Sequence, residues 1–199
     1  MKLLFAASHL INSFFNLFSF VSRRGKKNLS RNKAIDEEVK GKYIIRQSPI
    51  KKVFFGAKPL SYNGCGIIAL HNILLCLGKE KSFSQIILEN EKNALLWGLF
   101  GLSPMGLKRY LLSNGFAVTE KSGFSDGDID GKPFIHFYFR KNLSAHYVAA
   151  IPKDNGHIFL NSCLSCKTPE SLESYRKATK KDGLLCECVY IIEKNDFCA

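Results

Sequence analysis

The 199-residue chain has no uninterrupted run of 18 apolar residues, which excludes a simple multi-span membrane protein. It has no internal repeat and no low-complexity tract, which excludes a solenoid and a compositionally disordered chain. Cysteine is too sparse for a small secreted disulfide scaffold, and the count of 7 is odd. A reducing compartment or a reactive thiol is therefore expected, and with it a cytoplasmic location. Acids are scarce at one end, where residues 1–58 hold 3 of them against 13 Lys and Arg. What the chain does have is an ordinary 46% of hydrophobic residues, with 16 Phe and 7 Tyr to build a core. Its length suits one domain.

Ten of the twelve net positive charges thus lie in residues 1–58, ahead of a nearly neutral body. The body lacks the basic face interleaved with aromatics that nucleic-acid binding needs, so no nucleic-acid partner is expected. Residues 3–21, LLFAASHLINSFFNLFSFV, keep a helical period with a wide apolar face. Arg23, Arg24, Lys26 and Lys27 follow at once. Only Lys2 precedes the run, which is the wrong order for a cleaved secretory signal. Two readings of this arm stand side by side. Residues 1–31 lie on an anionic membrane surface, at its inner face, or the helix packs on its own body or a partner chain. The expected organisation is an amphipathic helix over 1–24, a linker over 25–42 and a folded domain over 43–199.

Within the body, SYNGCG opens into the helix IIALHNILLCLG, with Gly78 as its stop. Ser82 caps a second helix to Asn90. Ser103 and Pro104 begin a third, which Gly115 ends. Strands are expected at Phe116–Glu120, Pro133–Arg140, His146–Ile151, His157–Asn161 and Glu187–Glu193, with a hairpin turn at Asp154-Asn155-Gly156. A further helix is expected from Thr168 to about Lys180. Helices first and strands later predict an α+β fold with a mainly antiparallel sheet.

Cys65 stands where a Gly-flanked turn meets the long apolar helix. Unpaired amides and the helix dipole favour negative charge there, so a thiolate nucleophile is expected. Gly64 and Gly66 are read as room for a substrate carbonyl. A thiolate needs a base that later protonates the leaving amine. His146, at the start of a strand, is the candidate. Asn161, at the end of the next strand, comes level with His146 if the two strands pair about the Asp154–Gly156 turn, and is placed to hold the imidazole tautomer. Cys163-x₂-Cys166 and Cys186-x-Cys188 depart from the usual zinc pattern, so no metal and no cofactor are expected.

YNGCGIIALHNILLCLG, FGLSPMGLKRYLLSNGF, AHYVAAI and HIFLNS together resemble the papain-like cysteine peptidases, in particular the branch that processes the double-glycine leaders of bacteriocins. The likeness spans residues 55–193. It implies a papain-like fold with the nucleophile-bearing central helix packed on the sheet. It also implies a peptide or protein substrate hydrolysed through a thioester, with Cys65 as nucleophile, His146 as base and acid, and Asn161 orienting it. That family carries Gln six residues before the nucleophile as an oxyanion donor, where this chain has Pro59. Asn63 is the substitute candidate, with the Cys65 amide. Two alternatives to hydrolysis remain open: an amide-forming acyltransferase through the same thioester, and an inactive papain-like module that only grips a peptide.

Overall fold

The structure is a computed structural model that describes residues 20–195, apart from 124, 143, 155, 163–169, 172, 174, 177, 178 and 180–182. The apolar face over residues 3–19, the Cys163 and Cys166 pair and most of the expected 168–180 helix lie outside the described residues.

Eight strands and seven α-helices are described. Helices α1 (Phe20–Asn32) and α2 (Ala34–Val39) lead to a short hairpin of β1 (Phe54–Phe55) and β2 (Lys58–Pro59). Next come α3 (Leu60–Asn63), α4 (Cys65–Cys76), α5 (Phe83–Asn90), α6 (Pro104–Ser113) and β3 (Phe116–Lys121). After α7 (Asp126–Ile129) the chain forms β4 (Phe134–Arg140), β5 (Ala145–Lys153), β6 (Gly156–Leu160), β7 (Glu170–Ser171) and β8 (Leu184–Lys194). The six-stranded sheet has the order β3-β8-β4-β5-β6-β7 with every pairing antiparallel. The expected α+β class with a mainly antiparallel sheet is therefore what the chain forms. Local signals did their part: the Ser82 and Ser103 hydroxyls cap α5 and α6, and Gly115 at φ 83° ends the latter.

The sheet has apolar side chains on both faces. Ile135, Phe137, Tyr147, Ala149 and Ile151 pack on one side against Ile67, Leu70, Ile73 and Leu74 of α4. Phe134, Tyr138, Val148, Ala150 and Val189 form a second core with Phe159 and Tyr175. Helix α4 is buried nearly all round, which is why its sequence reads as a continuous apolar run with little amphipathic contrast.

Residues 25–42 are not a linker. They hold most of α1 and all of α2, and α1 is docked on the body. Gly25 lies so close to α5 that a Cβ there would meet Leu88 at 3.1 Å. One helical turn on, Asn28 donates to Glu91 Oε1 at 2.6 Å and to the Gly56 carbonyl at 2.9 Å. Another turn on, Asn32 brackets Phe54, donating to its carbonyl and accepting from its amide. Arg24 completes the set with Nε 3.2 Å from the buried Glu91 carboxylate. The buried stripe of α1 is Gly and Asn rather than Leu and Ile, so hydropathy could not find it. Arg23, Lys26, Lys27, Ser30, Arg31 and Lys33 take the exposed side. No described helix is long and apolar enough to cross a membrane.

Replacing Asn28 by Ala would leave Glu91 Oε1 and the Gly56 carbonyl each short of a buried donor. The expected loss is about 2 kcal/mol of folding free energy, read as a lower denaturation midpoint with an unchanged slope.

Candidate active site

Cys65 is the first residue of α4, with Gly64 as its N-cap. The backbone amides of Gly66 and of Tyr147 in β5 lie near enough to its thiol to favour the charged form. The sulfur therefore sits one residue along β5 from His146. The glycines serve packing rather than substrate entry. A Cβ at Gly64 would meet the Leu60 side chain and carbonyl at 2.6 Å, and one at Gly66 would meet Leu102 at 2.8 Å and the Tyr147 ring at 3.2 Å. The Tyr147 hydroxyl closes this cover by donating to the Leu102 carbonyl at 3.0 Å.

That cover changes the electrostatics expected of a helix N-terminus. Cys65 is only 8% exposed, and burial pushes its thiol up to about 11, outweighing the amides of Tyr147, Gly66 and Cys65 that lower it. The resting thiol is neutral at pH 7, not the thiolate the dipole argument led us to expect.

His146 keeps part of its surface open. Its Nε2 lies 2.6 Å from the Asn161 carbonyl oxygen. A carbonyl only accepts, so Nε2 carries the hydrogen and Nδ1 offers the lone pair. Burial lowers this imidazole to about 4, against the effect of the Asn161 carbonyl and with help from Arg140 and His136. It too is neutral at pH 7. Strand alternation sends it off β5 on the side of Tyr138, whose ring centroid is 5.8 Å away, whereas Tyr147 faces α4. The imidazole thus leaves β5 on the side away from α4, which carries the thiol, and no hydrogen bond joins the two groups among the described residues.

Asn161 differs from expectation in two ways. The β5–β6 register ends at Ala149↔Leu160, which leaves Asn161 level with Val148 rather than with His146. And its side-chain amide does not face the imidazole. Oδ1 accepts from the Gln47 amide at 2.9 Å, and Nδ2 donates to Gln47 Oε1 at 3.1 Å. The left-handed backbone at Asn161, φ 59°, turns the carbonyl to His146 while the side chain turns away. Asn63 is likewise committed elsewhere. Its Nδ2 donates to the carbonyls of Phe55 at 2.9 Å and Gly98 at 2.5 Å, so neither hydrogen is left for an oxyanion.

The residue that sequence reasoning missed is Gln47. It is buried, pairs with Asn161, and donates from Nε2 to the Ser61 carbonyl at 3.3 Å. It thereby ties the strand end that holds His146 to the turn that leads into Cys65. No local pattern marks it, because it stands 18 residues before Cys65 in an irregular strap. Cys76, Cys186 and Cys188 are in no disulfide among the described residues, and no cluster of three metal-ligating side chains exists among them.

No protein-family model matches the chain, and no curated protein matches it. Among solved structures it is similar to the peptidase domain of Streptococcus ComA, a bi-functional ABC transporter involved in a quorum sensing pathway. That similarity has 16% identity and a TM-score of 0.45, over 65% of this chain and 91% of the other.

Two pH effects follow from the site. The neutral imidazole binds fewer protons folded than unfolded between its depressed value of about 4 and the ordinary 6.5. Its stabilising contribution is complete above pH 6.5 and is lost as pH falls through 4. The raised thiol contributes below about pH 9 and loses its contribution as pH rises through 11. Chemical denaturation of wild type, His146→Gln and Cys65→Ala across pH 4–10 should assign the acid limb to the first residue and the alkaline limb to the second.

Proposed function

We propose that the chain is a cysteine-dependent acyl-transfer enzyme acting on peptides, in the manner of a papain-like peptidase. The observation that carries this reading is the juxtaposition at the end of β5. A thiol at the first turn of a buried helix lies near the Tyr147 amide, one residue along β5 from a histidine whose tautomer presents Nδ1 as an acceptor. In this reading Cys65 attacks the peptide carbonyl while His146 Nδ1 takes the thiol proton, and His146 returns that proton to the leaving amine. Because both groups rest neutral, proton transfer accompanies attack and no thiolate–imidazolium pair stands ready beforehand. The Asn161 carbonyl stabilises the imidazolium that forms, and Gln47 holds Asn161 in the conformation that allows it. Water or an amine can resolve the thioester, giving hydrolysis or amide formation.

A catalytically inert peptide-binding module is the second reading, favoured by the commitment of both Asn63 hydrogens and by Pro59 at the place of the family's Gln. A peptide electrophile added at neutral pH separates the two, with the modified cysteine mapped. The catalytic reading expects Cys65 to be modified ahead of Cys76, Cys186 and Cys188, and Cys65→Ser and His146→Ala each to remove turnover. Equal labelling of Cys65 and Cys76 sinks it.

The backbone role of Asn161 is tested by substitution. Asn161→Gly keeps the carbonyl and tolerates φ 59°, so turnover should fall by no more than about tenfold. Gln47→Leu removes its side-chain ties to Asn161 and Ser61 while its main-chain N–H still reaches Asn161 Oδ1, so turnover should fall by a similar factor. A larger loss in Asn161→Gly than in Gln47→Leu would return the orienting role to the Asn161 side chain.

We further propose that residues 1–31 lie on an anionic membrane surface. Arg23, Lys26, Lys27 and Arg31 are exposed on α1, which supports attraction to an anionic surface, while Arg24 is drawn to Glu91 and takes no part.

A further inference from the structure

We propose that the loop over residues 95–101, together with Tyr62, is a second membrane contact, in which aromatic and aliphatic side chains enter the headgroup boundary of an anionic bilayer. The proposal is independent of any chemistry at Cys65.

Tyr62 and Phe100 are two-thirds exposed, and Trp97 and Leu99 about 40%. A single exposed Leu is ordinary, but four large apolar side chains exposed on this loop and on the turn whose Asn63 holds it are of the kind that marks an interaction surface. The display is built into the backbone. Leu96 and Trp97 are both left-handed, at φ 43° and 57°, which is costly for residues with a Cβ. The turn is held in that form from below. The Ala57 amide donates to the Trp97 carbonyl at 2.8 Å, Asn63 Nδ2 to the Gly98 carbonyl, and the Leu95 amide to the Gly101 carbonyl at 2.8 Å. Gly56 leaves the space this needs, since a Cβ there would lie 2.2 Å from the Trp97 carbonyl oxygen.

The charge around the patch selects the occupant. Residues 93–107 carry no charge, and residues 50–63 carry Lys51, Lys52 and Lys58 with no acid. The Lys58 ammonium stands 5.6 Å from the Tyr62 ring centroid. Lys51 and Lys52 are exposed on the turn whose ends are tied to α3 by Leu60 N to Val53 O and Ser61 N to Ile50 O. Exposed Arg31 of α1 lies over Phe54, in the same hairpin that supports Trp97. Exposed Trp, Tyr, Phe and Leu beside Lys and Arg, with the nearby Glu91 buried and held by Arg24 and Asn28, match a surface that is apolar within and anionic at its rim.

Trp97 is the chain's single tryptophan, so its emission reports this loop alone. The full-length protein is titrated with vesicles of anionic phospholipid and with vesicles of neutral phospholipid. The expected result is a blue shift with the anionic vesicles, with quenching by lipids brominated near the top of the acyl chain, and little change with the neutral ones. Leu99→Ser with Phe100→Ser should abolish the shift while circular dichroism stays unchanged. Lys51→Gln, Lys52→Gln and Lys58→Gln should each lower vesicle affinity roughly fivefold. Cys65→Ser should leave all of this unaltered, which separates the loop from the catalytic reading. Sedimentation with anionic vesicles while Trp97 emission stays fixed overturns the proposal, because the first 31 residues then bind alone. A shift produced by an apolar peptide and not by vesicles also overturns it and assigns the patch to peptide docking.

Discussion

Buried side-chain amides hold together the part of this protein that has no ladder of its own. Between α2 and α4 the chain runs through an irregular strap and a short hairpin outside the main sheet's ladder, although the Ile45 carbonyl accepts from the Asn161 amide at the end of β6. Asn72 brackets Ile44 with bonds of 2.8 and 2.9 Å, Asn32 brackets Phe54, Asn63 gathers the Phe55 and Gly98 carbonyls, and Asn161 pairs with Gln47. Each such side chain supplies the donor and acceptor that a neighbouring strand would supply elsewhere. Losing one strands a buried backbone group as well as breaking a bond, so these asparagines bear more of the fold than their polarity suggests.

The same ties set the chemistry of the site. Gln47 and Asn161 join the end of β6 to the strap, and the Asn161 carbonyl then decides which nitrogen of His146 carries the hydrogen. Tight closure around α4 decides the rest. Leu60, Leu102 and Tyr147 crowd the two glycines beside Cys65, and the low polarity they create outweighs the helix-end amides that would otherwise favour a thiolate. Packing and helix dipole act in opposite directions on one sulfur, and packing wins.

The β1–β2 hairpin is the hub at which these arrangements meet. Gly56 takes Asn28 of α1 on its carbonyl and the Glu91 carboxylate on its amide, while the adjoining Ala57 amide holds the Trp97 turn. The basic helix, the buried Glu91 and the exposed aromatic loop are thereby fixed to one another, and all of them to the turn that enters Cys65.

Much of the molecule was legible in one dimension. The Ser caps, Pro104, Gly115 and the Asp154–Gly156 turn act within a few residues, and local sterics and capping bonds are enough to place α4, α5, α6 and the main strands. Cys65 and His146 were legible because a helix start and a strand start are local features too. What only the tertiary structure decided concerns groups distant in sequence. Residues 25–42 read as linker because their buried stripe is Gly25, Asn28 and Asn32, whose partners lie 22 to 66 residues away. Gln47 finds Asn161 across 114 residues. The neutral state of Cys65 and the turning of the Asn161 amide away from His146 come from packing density and a single left-handed residue. A polar side chain declares its chemistry in the sequence, but its partner, and therefore its role, exists only once distant segments are packed together.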